Sequence, residues 1–132
     1  MSSSKSFGNR KIEMWAEGGL KVNRTINSTS DIIAYASSDK RLKSNIKSIE
    51  NPLDKIKKLS GNRFTWNEKQ NTHHGEDYGL VAQEVAEVLP EIVTERENGY
   101  LAIKYEKMIP LLVECIKSQQ DQIDQLKNSS KN

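Results

Sequence analysis

The chain has 132 residues, 35% of them hydrophobic and 29% charged, with a formal net charge of +2. This apolar share lies below the roughly 45–50% of ordinary globular domains. A single cysteine, Cys115, with no Cys/His cluster excludes a disulfide framework or structural zinc, so a thin core completed by assembly is expected. Near-balanced charge, no run approaching ~18 apolar residues and an N-terminus without an apolar signal core argue against nucleic-acid, membrane and secretory roles and for a soluble protein.

In chain order, Met1 to Ser6 is Ser- and Lys-rich and reads as a disordered start or a cloning remnant. From Lys11 the pattern changes to polar β-prone pieces: Lys11 to Trp15, then Leu20 to Ile26 beyond the Gly18-Gly19 turn, then Ile32 to Ala36. Strands this polar cannot make a sandwich core alone. They suit winding around, or pairing with, copies of themselves.

After Ser38 the composition is that of a compact α+β unit. Ile46, Ile49, Leu53, Ile56 and Leu59 recur at helical spacing and predict one apolar helix face, restarted at Asn51-Pro52. Asn51 as N-cap, Pro52 at the first helical position and Asp54 at the third describe a helix start, and Ser60-Gly61-Asn62 a stop. Arg63 to Trp66 reads as a strand and Asn67 to Asp77 as a polar loop. Tyr78 to Leu89 places Val81, Val85, Val88 and Leu89 on one side of a helix that Pro90 closes.

Ile92-Val93-Thr94 and Tyr100 to Tyr105 flank Glu97-Asn98-Gly99, and Asn-Gly between β-prone runs predicts a hairpin with a type I′ turn. From about Met108 to Asn128 the chain reads as one helix, with Pro110 in its first turn. Ile109, Ile116 and Ile123 at position a, with Leu112, Gln119 and Leu126 at position d, keep a seven-residue repeat. Positions outside this seam after Ile116 are polar, so the last turns should stand clear of the core and pair with other helices. Gln119 would cost stability there but would set register. The seam by itself leaves dimer and trimer open, since Ile at a with Leu at d slightly favours two strands.

One constellation carries chemistry: Ser38-Asp39-Lys40-Arg41-Leu42-Lys43, at the join between the polar β stub and the compact unit. Serine needs a base to remove its proton, and lysine serves as one only when burial or a nearby cation lowers its pKa from about 10.4 towards 7. A turn between Ser38 and Lys43 brings such a pair together. Spacing alone does not single it out, because both residue types are common here.

The stretch Ser38 to Ile46, with Phe64-Thr65-Trp66, Gly79-Leu80-Val81-Ala82-Gln83-Glu84-Val85 and Tyr105 followed by Leu111 to Lys117, resembles the intramolecular chaperone auto-processing domain. That family closes phage tailspikes, endosialidases and long tail fibres, with a relative in myelin-regulatory-factor-type transcription factors. The resemblance covers Ser38 to about Leu126, and the upstream stub resembles the end of a fibre shaft.

It implies an α+β fold in a homotrimer, with a β-strand shaft end over residues 1–37 and a chaperone over 38–128 whose helix 108–128 forms a coiled coil. It also implies a single-turnover serine peptidase acting on its own chain without a cofactor. Ser38 would be the nucleophile, Lys43 the base, and the bond between Ser37 and Ser38 the one cut. The implied partners are the chain's own copies and its upstream shaft. The implied location is a virion tail fibre or tailspike made in the host cytoplasm, the chaperone being released on maturation.

Asp39 and Asn45 lie close enough to assist, but read first as turn formers. The alternative keeps the fold without the chemistry, as a permanent trimerisation cap. A relative releasing a DNA-binding fragment is disfavoured, because no basic recognition element or membrane span accompanies the motif.

The other reactive residues have plainer readings. His73-His74 lies in a polar loop without an accompanying carboxylate or thiol cluster and reads as solvent-facing. Cys115, at position g beside the seam, reads as a semi-buried free thiol. Trp15 and Trp66 read as packing residues. No phosphate loop, paired-carboxylate glycosidase site or zinc signature is present in the sequence.

Overall fold

The structure, a computed structural model, describes residues 12–131. The expectation for Met1 to Ser6, and Lys11 at the head of the first β piece, lie outside the described residues. The chain divides into two units, Met1–Leu42 and Lys43–Asn132.

In the first unit every described residue is exposed, and residues 12–37 form no strand. The three expected β pieces are therefore absent from a single copy. A strand exists through hydrogen bonds to a neighbouring strand and burial of one face, and these runs have neither partner. Ile12, Trp15 and Tyr35 are 93%, 92% and 92% exposed, which corrects the reading of Trp15 as a packing residue. Local order comes from short-range bonds. The Gly19 N–H donates to the Ala16 carbonyl at 3.1 Å, and the Leu42 N–H to the Asp39 carbonyl at 3.1 Å, closing a 3-10 turn over Lys40–Leu42.

The second unit contains the described core. Helix α1 (Pro52–Ile56) begins, as expected, on a proline whose fixed φ suits the first helical position. The longer helix expected from Ile46 to Leu59 is not formed. Asn45 and Asn51 hold positive φ, 54° and 49°, which a right-handed helix does not admit, and a residue before proline is steered out of the α region in any case. Asn51 accordingly makes no side-chain cap bond. Ile49, Leu53, Ile56 and Leu59 still reach the core, through a helix of five residues and its flanks.

Strand β1 (Asn62–Thr65) pairs antiparallel with β2 (Glu76–Gly79), Asn62 opposite Gly79 and Thr65 opposite Glu76. The sequence assigned Glu76 and Asp77 to a loop and Tyr78-Gly79 to a helix, because a four-residue polar strand with a glycine carries no periodicity. Gly79 is required by its neighbours: a Cβ there would lie 2.7 Å from the Tyr105 hydroxyl and 3.3 Å from the Phe64 ring. That hydroxyl accepts the Leu80 N–H at 3.0 Å. Helix α2 (Ala82–Val88) consequently starts later than expected and ends, as expected, before Pro90, which opens a 3-10 turn over Pro90–Ile92.

Strands β3 (Val93–Glu95) and β4 (Leu101–Ile103) form the expected hairpin, with Val93 opposite Ile103 and Glu95 opposite Leu101. Its turn differs from type I′. Among the described turn residues only Gly99 has positive φ, 84°, and the Gly99 N–H donates to the Arg96 carbonyl at 2.8 Å while Arg96 N–H reaches the Tyr100 carbonyl at 3.0 Å. This is a three-residue loop, a type I turn followed by a left-handed glycine.

After a 3-10 turn over Tyr105–Met108, helix α3 runs over Ile109–Ser129, within a residue of its expected bounds. Leu111 and Cys115, one turn apart, pack with Val85, Ile92 and Met108 as the buried core of the described residues. The Cys115 thiol donates to the Pro52 carbonyl at 3.3 Å, tying α3 to α1, and burial pushes its pKa up. The fold is thus mixed α/β: two small antiparallel hairpins, short helices and a long C-terminal helix.

Candidate functional site

The stretch with the proposed chemistry begins at Ser38 and is organised by Asp39. One carboxylate oxygen accepts the Arg41 backbone N–H at 2.8 Å and its Nε–H at 3.1 Å; the other accepts from Arg41 Nη2 at 2.9 Å. These side-chain and backbone bonds to Arg41 hold the Asp39 carboxyl below its usual pKa and push the guanidinium higher still. Asp39 thereby caps the Lys40–Leu42 turn with its side chain and closes it with its carbonyl. Ser38 belongs to the first unit and Lys43 opens the second. Asn45, the other suggested helper, is held in the left-handed conformation just beyond.

The six seam positions all fall on α3 and all are exposed; the apolar ones, Ile109, Leu112, Ile116, Ile123 and Leu126, are between 43% and 68% exposed. At 100° per residue the seam points roughly 100° away from Leu111 and Cys115, so the helix uses one face for its own core and presents another. From Gln119 to Lys131 every residue is exposed. At the N-terminal end the seam borders an open groove floored by Ile46, Ile49, Ile109, Pro110 and Val113.

Two features escaped the sequence reading. Arg41 has no role of its own in the sequence reading; the spacing Asp-x-Arg before a turn is the available signal. The loop between β1 and β2 was read as polar and irregular, yet one side chain organises it. Gln70 Nε2 donates to the Asn67 and His73 carbonyls at 2.9 and 2.8 Å, and its Oε1 accepts from the Thr72 and His73 N–H groups at 3.1 and 2.8 Å. His73, though exposed, stacks on Trp66 with centroids 4.7 Å apart, and Trp66 Nε1–H donates to Asp77 at 3.0 Å. Bonds from the Tyr78 N–H and the Trp66 indole, with a smaller charge contribution from His73, hold the Asp77 carboxyl low.

Among the described residues no group of three or more His, Cys, Asp or Glu side chains is placed to hold a metal ion, and no helix is long and apolar enough to cross a membrane.

Comparison with known proteins gives the class. Residues 38–94 match the model of the family described as chaperone of endosialidase, whose name also classes it as a peptidase. The chain's similarity runs well beyond the matched segment. The chain is 36% identical over 128 residues to the long tail fiber protein Gp37 of Enterobacteria phage K3, covering 91% of this chain and 10% of that protein. It is 38% identical over 126 residues to the Gp37 of Enterobacteria phage T2, covering 89% and 9%. To the Gp37 of Salmonella phage S16 it is 31% identical over 130 residues, covering 93% and 16%. The chain therefore spans about a tenth of the length of the first two relatives.

Proposed function

We propose that this chain is the self-registering end of a phage long tail fibre protein, a homotrimeric chaperone that cuts itself from the shaft once assembly is complete. The observation that carries this reading is where the family match begins: at residue 38, the serine that the motif makes the nucleophile. The similarity to tail fibre proteins continues across most of the chain, consistent with a shaft end upstream of that point.

Assembly would begin at α3. Three copies lay their exposed Ile109, Leu112, Ile116, Gln119, Ile123 and Leu126 together in a coiled coil, burying apolar surface that one copy leaves in water. Registering the chains at one end removes much of the loop-closure cost of winding the polar stub strands, which then find in their copies the partners that a single chain lacks.

Chemistry would follow. Ser38 Oγ attacks the Ser37 carbonyl carbon while Lys43, as the base, takes the hydroxyl proton. The oxyanion collapses, the Ser37–Ser38 C–N bond breaks, and the proton passes to the Ser38 nitrogen. The product is an ester between the Ser37 acyl group and Ser38 Oγ. Water hydrolyses it, leaving residues 1–37 with a new carboxylate on the fibre and a chaperone with a free α-amine at Ser38. The shaft, having lost its registering element, is thereafter held kinetically.

Mass spectrometry of the purified protein over time tests this, beside Ser38→Ala and Lys43→Ala. Fragments meeting between residues 37 and 38 in the parent and absent from both variants are expected. A trimeric parent that stays whole under all conditions would instead make it a permanent cap, and sedimentation giving a dimer would overturn the trimer.

A further inference from the structure

The Asp39–Arg41 clasp lies in the short connection between the nucleophile and base proposed above. Four residues separate Ser38 from Lys43, and the last three of them form the 3-10 turn. For the two side chains to act on one bond the chain must reverse here, and what holds the reversal is concentrated in one residue. Asp39 accepts the Arg41 N–H through its carboxylate at 2.8 Å and the Leu42 N–H through its carbonyl at 3.1 Å. Asp39 is also the only acidic residue between Ser38 and Ile49, a stretch that holds Lys40, Arg41, Lys43 and Lys47. Its carboxylate therefore has several cations to choose from. The contact to Arg41 Nε and Nη2, at 3.1 and 2.9 Å, commits it to the one inside the turn.

We propose that Asp39, clasped by Arg41, is the positioning residue of the self-cleavage, holding the turn that sets Ser38 against Lys43; this rests on the cleavage reading above. The two contacts contribute unequally. The side-chain cap on a backbone N–H resembles a helix N-cap and supplies most of the turn's preference. The ion pair is exposed, its two side chains 88% and 44% accessible, and exposed pairs contribute little. The cleavage rate scales with the fraction of chains in which the turn is formed, because a reacting pair held out of alignment loses the advantage of proximity.

The test compares cleavage rates of the full chain with those of Asp39→Ala, Asp39→Asn and Arg41→Ala, each with its thermal melt and sedimentation profile. Asp39→Ala removes cap and ion pair and should slow cleavage about tenfold or more, the scale of a lost cap. Asp39→Asn keeps an oxygen for the Arg41 N–H and should cleave within about threefold of the parent, as should Arg41→Ala, which loses only the ion pair. Melts and assembly state should match the parent throughout. A parent that cleaves while Asp39→Ala cleaves equally fast overturns the positioning role and leaves the cleavage reading intact. Asp39→Asn as slow as Asp39→Ala overturns it in favour of direct participation by the carboxylate. A parent that never cleaves overturns the cleavage reading, and the positioning role with it.

Discussion

Residues 12–37 and residues 43–131 carry comparable kinds of apolar side chain and use them differently. The first stretch holds Ile12, Trp15, Leu20, Ile26, Ile33 and Tyr35, all exposed; the second buries Val85, Ile92, Met108, Leu111 and Cys115. The difference is one of arrangement rather than composition. In the second stretch helical spacing lets Leu111 and Cys115 meet helix α2 and the following turn, so that burial is achieved within one chain. In the first, apolar residues alternate with polar ones over short runs, a pattern that yields burial only beside another strand. One part of the molecule buries its apolar side chains within the chain, and the other leaves them in water. Helix α3 serves both conditions, with a core face and a bare seam.

The largest expected effect on this contrast comes from the seam. Ile116→Asp would put a carboxylate from each copy into one buried layer, at a cost of about 3–5 kcal/mol for uncompensated buried charge, and sedimentation should show only single chains. Hydrogen exchange should then find residues 43–131 as protected as in the parent and residues 12–37 unprotected. Protection that persists in the stub of a monomeric variant would break the comparison.

Leu111→Ala acts on the other side of it. Leu111 is fully buried, so its truncation should lower the unfolding free energy of the second unit by about 2–5 kcal/mol, read by urea titration. The exposed stub should be cut by protease at an unchanged rate.

Gly79→Ala should cost about 1–3 kcal/mol by the same titration, because the added methyl meets the Tyr105 hydroxyl and overpacks the junction. Tyr105→Phe combined with it should recover part of the loss by removing the clash. A double variant no more stable than Gly79→Ala would show that the strain lies elsewhere.

The smallest effect is electrostatic. Asp77 has its pKa lowered in the fold, so the stability it contributes is fully present above its unfolded value and is lost as pH falls through the lowered one. Trp66 fluorescence should change across that acid range in the parent and not in Asp77→Asn.

Legibility in the sequence followed the range of the interactions. Helix α3 was placed within a residue because propensity, the seven-residue repeat and Pro110 all act inside one segment, and the β3–β4 hairpin because Asn98-Gly99 marks its own turn. The turn type was not legible, since whether one or both residues take positive φ depends on where the strands stop pairing. The Ser38–Lys43 motif stood out as a pattern of residue types, but the clasp between Asp39 and Arg41 is a matter of side-chain geometry that spacing does not specify.

By itself, then, the sequence determined the order of parts: a polar stub too thin to bury itself, a Ser/Lys junction, a small α+β unit, and a helix with one stripe more than it needs. Tertiary structure decided what non-local contact decides. It kept the stretch from Ile46 to left-handed Asn51 out of the helix, turned Glu76 to Gly79 into a strand against β1, and set Leu111 and Cys115, rather than the seam, against the core. The physical reason is common to all three. Each depends on which surface lies opposite in space, and a linear pattern records only that an apolar face exists.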